Sequence, residues 1–521
     1  MERTLAGEVV DVARRRAPID EALIQLGRPS TEPTTAHRVW APIAAATVPA
    51  LLYLAYVAHY ALDVPLSDDW GLIGLASHAR HHHVAMAELW SQYADTRLFV
   101  GRVVFAVFGL LDHLNLKHII LFSAITYIAS VAILLLLFRS YLQRRLTFLS
   151  VLSLAVVWFS VADFQNALWS FQLAWYLVVF FFVAMAYFLV ARDRHRNLFF
   201  ALGIVCATLA SLTEVQGFAV WAVGLIGLLW AHPRARRTSY ECAIWISAAV
   251  LVTAIYLHNF DFRYADNICR TEGGAKGTCS LAYGALHPVS LARFLAVLAG
   301  NVVPTRPGSY IGVHELLGAA IWITAALVLC RSVRERRLGT SPLPVLLIVF
   351  ALQFDLMLAL SRLGQGPAGA GKTWYTMPNI ILLSGIVIFA WRYFPDRRNT
   401  HERIHRGGRL ATLGLATLAA FLLLQAVVAT QFGVTNAREL RASTFTVGRV
   451  LANFAEIPDV KRECYVEAAT DRPTASAIFA NIDAARFEQL ALFQSGSEGQ
   501  FRSPGPPRIA YCDIIADAVD R

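Results

Sequence analysis

The sequence predicts an all-α polytopic membrane protein with about eleven transmembrane helices. Of its 521 residues, 56% are hydrophobic and only 16% are charged, and the mean hydropathy is +0.50, which lies outside the range of soluble domains. The apolar residues come in repeated blocks, and a helix needs about 20 of them to cross a bilayer. Such blocks run near 39–62, 118–138, 146–162, 173–191, 198–213, 217–231, 241–258, 311–330, 342–360, 374–391 and 410–430.

Basic residues give the expected orientation. Arginine-rich patches lie at 14–16, 139–145, 192–196, 234–237, 331–337 and 397–406. With a cytoplasmic N-terminal segment 1–38 and eleven spans, every patch falls on the cytoplasmic side, as the positive-inside bias requires. The net charge of +10 is spread over short turns, so it reports topology and does not indicate a nucleic-acid partner. We expect a multi-pass protein of the bacterial inner membrane, without a cleavable signal peptide.

The three longest segments expected on the opposite, periplasmic face are the first loop, a second loop and the C-terminal segment. In the first loop, 63–117, the stretches 84–93 and 98–111 are predicted to be two interfacial helices, because 98–111 is too short to span and carries Arg102. The second is the external loop 259–310. After the transmembrane domain 39–430, residues 431–521 are expected to form a small external C-terminal domain.

Four of the seven cysteines fall in these external segments. An even number of external cysteines suggests disulfides formed in an oxidising compartment. The expected pairs are Cys269 with Cys279, and Cys464 with Cys512.

The most informative short motif is the run 65–70, just after the first apolar block, where Asp68 and Asp69 are adjacent and Trp70 follows. Two neighbouring carboxylates repel each other, and the pKa of one is raised unless a cation or substrate shares the site. The pair is therefore a candidate for general-base catalysis or for a divalent metal such as Mg²⁺ or Mn²⁺. The alternative is that both carboxylates only hydrate a loop turn.

A second motif lies at 361–373, where a glycine-rich connector joins Arg362 to Lys372. Two cations at neighbouring helix ends are suited to hold a phosphate at the membrane surface. The stretch 366–373 has the spacing of a P-loop, but it lies between two spans and lacks the strand–loop–helix context, so a nucleotide site is not expected.

Amides and aromatic residues occupy two short external turns, 163–172 and 213–217. Amides beside aromatic faces suit the hydroxyls and C–H faces of a carbohydrate. The alternative is that these aromatic side chains only anchor helix ends at the interface.

Asp355 and Glu315 lie in or near spans and either mark a functional site or pair with a neighbouring arginine. His78 and His82 are spaced as two ligands on one helix face, but a dedicated zinc site is not expected.

A first span, a large external loop that opens with paired acidic residues, surface helices and many further spans together resemble the GT-C superfamily of membrane glycosyltransferases. The resemblance covers roughly 39–430 and rests on Asp68-Asp69, the 165–172 turn and the 361–375 loop. It implies an inverting transferase that moves a sugar from a polyprenyl-phosphate donor to a glycan, lipid or protein acceptor. Asp68 or Asp69 would act as base, or both as metal ligands. The donor-phosphate residues it implies are Arg97, Arg102, Arg306, Arg362, Lys372 and Tyr375. The substrate-binding residues it implies are Trp70, Gln165, Asn166, Trp169, Gln172, Glu214 and Trp374.

The sequence departs from this family at one motif and leaves other classes open. Such proteins often carry an Arg-Tyr pair where this chain has Trp374-Tyr375, which transfers the phosphate role to Arg362 or Lys372. A transporter or lipid flippase would use charges within the membrane such as Asp355. A non-catalytic scaffold displaying its loops is the third class.

Overall fold

The computed structural model is helical, and no strand occurs in the residues it describes, which are 37–81, 83–143, 146–190, 195–231, 236–263, 274, 278, 280–306, 308–336, 341–393 and 408–453. The helices are α1 (His37–Tyr60), α2 (Ile73–Arg80), α3 (Met86–Trp90), α4 (Phe99–Asp112), α5 (Leu116–Leu142), α6 (Phe148–Trp158), α7 (Phe164–Leu168), α8 (Leu173–Val190), α9 (Arg196–Thr213), α10 (Ala219–Ala231), α11 (Arg236–Leu257), α12 (Leu281–Leu286), α13 (Pro288–Gly300), α14 (Ile311–Glu335), α15 (Leu343–Arg362), α16 (Gly366–Ala370), α17 (Met377–Arg392) and α18 (Gly408–Ala452).

Ten helical segments of the described chain are long and apolar enough to cross a membrane. This confirms the prediction of an integral membrane protein built from transmembrane helices. The expected span at 217–231 differs from the others, because α10 has only 13 residues and follows the 3₁₀ turn Val215–Phe218. The expected total of eleven spans stays a prediction.

The core of the bundle is formed by α8, α15 and α17, which are apolar on nearly every face. Phe182 of α8 stacks on Phe350 of α15 with ring centroids 3.9 Å apart, and α17 buries 12 of its 16 residues. A helix that is apolar all round belongs in the interior of a bundle. These three helices therefore fix the positions of the loops at their ends.

Successive long helices run antiparallel, so alternate connections meet at one end of the bundle. We call this the site end; it is the end at which α1 finishes and α5 begins. It collects the first loop, the α6–α8 turn, the α9–α10 turn and the α15–α17 loop. At the α9–α10 turn, a Cβ on Gly217 would lie 1.9 Å from the Ala210 carbonyl oxygen, so only glycine lets this turn pack directly on the end of α9.

The first loop carries more helix than the sequence indicates. Helix α3 lies within the expected stretch 84–93 and α4 matches the expected 98–111 to within one residue at each end, whereas α2 is an additional helix. Helix α4 packs closely on α2, since a Cβ on Gly109 would lie 3.0 Å from the backbone of Ala76. The loop is thus a packed layer over the end of the bundle.

Helix α18 continues for 45 residues and crosses the expected boundary at 430/431 without a break. Its last turns contribute Val450 and Leu451 to a buried cluster that also contains Trp70 and Leu72 of the first loop. The described chain ends at 453, so the remainder of the expected C-terminal domain, the N-terminal segment 1–36 and the four cysteines of the expected disulfides lie outside the described residues.

Candidate functional site

Asp69 holds the turn that carries the acidic pair. The 3₁₀ turn Ser67–Leu72 follows α1, and the Asp69 carboxylate accepts hydrogen bonds from the Leu66 backbone N–H at 2.9 Å and from the Ser170 hydroxyl at 2.6 Å. Ser67 has a φ of +40°, which is strained for a residue with a side chain. The side chain of Asp69 therefore fixes a strained backbone immediately before Asp68.

Burial decides the charge of Asp69. Only 1% of the residue is exposed, and burial raises the pKa of its carboxyl to about 7, with a further upward contribution from the charge of Asp68 and a downward contribution from the Ser170 hydrogen bond. Near neutral pH the neutral and ionised forms of Asp69 are both populated, which relieves the repulsion between the two acidic neighbours.

Asp68 has a different environment from Asp69. It is half-buried and accepts a hydrogen bond from the Tyr93 hydroxyl at 2.7 Å. The Tyr93 ring lies against Phe171, with centroids 5.3 Å apart. Of the two aspartates, Asp68 is the one whose carboxylate a ligand can reach.

The α6–α8 turn joins the acidic turn to the α15–α17 loop. The Asn166 side-chain amide donates to the Trp374 carbonyl at 2.9 Å, and the Thr373 hydroxyl donates to Gln165. The Trp169 indole N–H donates to the Leu66 carbonyl at 3.2 Å. Three segments that are remote in sequence are thereby held together beside Asp68.

Trp169 and Trp374 form a half-exposed aromatic pair, with ring centroids 6.5 Å apart at 76°. By contrast, three other predicted ligand residues are buried in the packing. Trp70 is 3% exposed within the first-loop cluster, and Gln172 is 6% exposed. Tyr375 is 3% exposed and stacks on Trp175 with centroids 6.2 Å apart. These three side chains are part of the packing around the site and are not exposed to a ligand.

Two of the predicted cations, Arg362 and Lys372, flank the α15–α17 loop. The Lys372 ammonium lies 5.1 Å from the centre of the Trp374 ring, and the lysine is half-buried. The Arg362 guanidinium pairs with Asp95 at 3.0 Å. Asp95 lies two residues after Tyr93, the partner of Asp68, so the Arg362 pair is linked to the acidic turn. Lys372 is linked to that turn through Trp374 and Trp169, whose indole N–H donates to Leu66.

Glu214 lies beside the Asp95–Arg362 pair. It is 6% exposed, and burial raises the pKa of its carboxyl to about 8, with the charge of Asp95 adding to the rise and the Thr96 hydrogen bond opposing it. Sequence reasoning missed Asp95 and Thr96, although both are polar residues between the two helices predicted in the first loop. Their partners could not be inferred from spacing.

Arg97 and Arg102 donate hydrogen bonds to the backbone around the first loop. The Arg97 guanidinium donates to the carbonyls of Trp90, Tyr256 and His258 at 2.6 to 2.8 Å. Arg102 donates to the Ser91 carbonyl at 2.6 Å and to the Glu88 carbonyl at 2.7 Å. All three guanidinium nitrogens of Arg97 and one of Arg102 donate to backbone carbonyls, and the expected role of both residues at a donor phosphate stays a prediction. They stabilise the first loop.

Arg306 lies apart from the aspartates. It lines a groove formed with α18 that also contains Phe432, whose ring lies 6.1 Å from that of Phe164. Glu315 pairs with Arg293 at 2.8 Å, as expected of a carboxylate near a span. Asp355 is fully buried and accepts from the Asn379 amide at 3.3 Å.

Within the described residues, no group of three or more His, Cys, Asp or Glu side chains is arranged to hold a metal ion. His78 pairs with Glu88 at 3.0 Å, and His82 lies outside the described residues. A divalent cation at the acidic turn could use a carboxylate oxygen of the half-buried Asp68 as one ligand.

No protein-family model, no curated protein and no solved structure matches this chain. A reachable carboxylate, an aromatic pair and a lysine lie together at one end of a helical bundle. Such a set can take a proton from a hydroxyl, bind a ring with C–H faces and hold an anion.

Proposed function

We propose that this protein is an inverting membrane glycosyltransferase, similar to the GT-C superfamily, that uses a polyprenyl-phosphate sugar as donor. The observation that supports the proposal is a set of contacts at the site end of the bundle: Asp68 accepts from Tyr93, Arg362 pairs with Asp95, and Lys372 lies over the Trp374 ring. The phosphate of such a donor lies at the headgroup level of the membrane. The base and the cations that act on the donor must therefore lie at that same depth.

Asp68 is the proposed general base. It is reachable, whereas Asp69 is buried and uses its oxygens on Leu66 and Ser170. Asp68 takes the proton of the acceptor hydroxyl while that oxygen bonds to the anomeric carbon. The bond from the anomeric carbon to the phosphate oxygen breaks, and its electron pair leaves with the phosphate. This single displacement inverts the anomeric centre, and the base typically contributes a factor of about 10²–10⁴ in rate.

Lys372 is the proposed partner of the leaving phosphate, and Arg362 adds positive potential beside it. A fixed cation near a developing negative charge lowers the barrier without reorganisation during the reaction. Asp95 already neutralises part of the Arg362 charge, so Lys372 carries the larger role. Trp169 and Trp374 are the proposed platform for the sugar, with Gln165 and Asn166 holding the two loops in register.

The proposed setting is the periplasmic face of a bacterial inner membrane, with a glycan, lipid or protein acceptor. This orientation rests on the arginine pattern of the sequence. Asp68 would be the first ligand of Mg²⁺ or Mn²⁺ if the reaction uses a divalent metal. A chelator arm in the assay tests that dependence separately.

The test is an assay of the purified full-length protein in lipid nanodiscs with a panel of labelled polyprenyl-phosphate sugars. We expect the wild type to consume one donor and Asp68→Asn to lose about 10²–10⁴-fold of that rate. Asp261→Asn is the matched control, because Asp261 is exposed at the same end and the asparagine oxygen can still accept from the Arg263 N–H. Full activity of Asp68→Asn would falsify the proposal.

Transport is the second candidate, and Asp355 is the observation that favours it. This residue is 0% exposed in the middle of α15, and one of its carboxylate oxygens has no hydrogen-bond partner in the described chain. Carboxylates at membrane depth commonly mark ion or proton pathways. Proton-coupled uptake into proteoliposomes that is lost in Asp355→Asn and retained in Asp68→Asn would favour transport.

A further inference from the structure

A second groove lies on the face of α18, separate from the acidic turn. It has a volume of about 280 Å³ and is lined by polar side chains that include Arg306, Gln431, Thr435, Asn436 and Glu439. Gln431, Thr435 and Glu439 are spaced four residues apart, so they lie along one face of the helix. At 1.5 Å per residue this stripe is about 12 Å long.

The groove lies at the boundary of the apolar part of the bundle. The Tyr56 hydroxyl donates to the Gly433 carbonyl at 3.0 Å, and Arg441 donates to the His59 carbonyl. Helix α1 ends at Tyr60, so residues 428–439 run beside its last turns. Tyrosines at the end of an apolar helix are typical of the membrane–water interface. A ligand in this groove therefore meets the protein at lipid-headgroup depth.

The groove is lined by one positive and one negative side chain, which do not form an ion pair with each other. Arg306 and Glu439 are both exposed and both line it, yet neither forms an ion pair with any part of the chain that the structure describes. The Asn436 amide N–H₂ donates to the Phe432 carbonyl at 2.8 Å, which leaves its oxygen as an acceptor. A purely anionic ligand would meet Glu439, and a purely cationic one would meet Arg306.

We propose that this groove binds the zwitterionic headgroup of an ethanolamine phospholipid. The phosphate lies against the Arg306 guanidinium and the Gln431 amide. The primary ammonium donates to Glu439 and to the Asn436 oxygen. A glycerol headgroup offers no cation to Glu439, and a choline headgroup has no N–H to donate, so both are discriminated against. This assignment is independent of the proposed transferase activity.

The test measures lipid retention. The full-length protein is released from nanodiscs that contain equal amounts of ethanolamine, glycerol and choline phospholipids with identical acyl chains, and bound lipid is counted by native mass spectrometry. Because the groove is open, we expect a modest preference of about three- to fivefold for the ethanolamine lipid. Arg306→Gln should lower retention of all three lipids, and Glu439→Gln should remove the preference alone.

Arg438→Gln is the matched control, since Arg438 is an exposed cation next to Glu439 that does not line the groove; it should keep the preference. Equal retention of the three lipids by the wild type, or a preference that survives Glu439→Gln, would overturn the proposal. If soluble phosphoethanolamine binds with the same variant pattern while no lipid is retained, the lipid assignment is wrong. Lipid counting needs no catalytic activity, so failure of the transferase proposal leaves this result interpretable.

Discussion

Substitutions at Asp69 and at Asp68 should have different effects, because Asp69 shapes the acidic turn whereas Asp68 is the residue proposed to contact the substrate. The Asp69 carboxylate accepts from the Leu66 N–H and the Ser170 hydroxyl and holds the strained backbone at Ser67. Asp68 accepts from the Tyr93 hydroxyl at 2.7 Å and is only half-buried. Loss of stability should therefore follow Asp69, and loss of activity with intact stability should follow Asp68.

The magnitude follows from the donors left behind. Asp69→Ala removes the acceptor of the Leu66 N–H, the Ser170 hydroxyl and the Phe171 backbone, and each buried donor left unpaired costs about 1–3 kcal/mol. Leu66 is partly exposed, so we expect a total of about 2–4 kcal/mol. Asp69→Asn keeps one acceptor oxygen, and the Ser170 hydroxyl can rotate to accept from the new amide, so the expected cost is about 1 kcal/mol or less. Asp68→Asn should change stability by less than about 0.5 kcal/mol.

The measurement is unfolding of the purified variants by SDS titration in mixed micelles, followed by tryptophan fluorescence, with donor consumption measured on the same samples. Ser170→Ala closes a double-mutant cycle with Asp69→Ala, and a coupling energy of about 1 kcal/mol or more is expected because the two side chains are bonded directly. Asp69→Ala with wild-type stability and no coupling to Ser170 would refute the structural role. An inactive Asp69→Asn of normal stability beside an active Asp68→Asn would reverse the two assignments.

Two further predictions concern charge. Lys372→Gln should raise the donor KM by about ten- to a hundredfold, the effect of losing one charge-assisted phosphate contact, while Lys117→Gln at the same end of the bundle leaves KM unchanged; equal effects of the two would point to general surface charge. Burial raises the pKa of Asp63 to about 6, of Asp69 to about 7 and of Glu214 to about 8, all above their unfolded values of about 4. The folded chain thus keeps protons that the unfolded chain has lost, so its stability should fall as pH rises from about 4 to 8, and the slope below pH 7 should be shallower in Asp69→Asn. Thermal unfolding between pH 4 and 8 checks this, and a melting temperature that rises steadily over that range is the contrary result.

The helices themselves were predictable. A block of about 20 apolar residues has one stable form in a bilayer, because a helix satisfies every backbone hydrogen bond internally. The helix in 98–111 was also predictable, since its length excludes a span and its pattern is helical. Helix α2 was missed because its amphipathic face packs on Gly109 of α4, a contact that no local pattern reports.

Asp68, Asp69 and Lys372 could be proposed for the candidate site from the sequence, because they are charged residues beside apolar blocks. Arg97 carries the same charge in the same compartment, yet its donors are used on three backbone carbonyls. Arg306 was assigned with Lys372 but lines the α18 groove. Sequence gives the sign and approximate depth of a charge, whereas its partners depend on which loops pack together.

The sequence by itself determined that this chain is a helical membrane protein and which polar residues lie at the ends of its helices, because hydrophobic length and charge act locally along the chain. Only the tertiary structure decided which of those residues meet. Asp68 and Asp69 are neighbours in sequence with the same side chain, but packing against Ser170 buries one and leaves the other reachable. That difference depends on contacts between segments about a hundred residues apart, which no local pattern encodes.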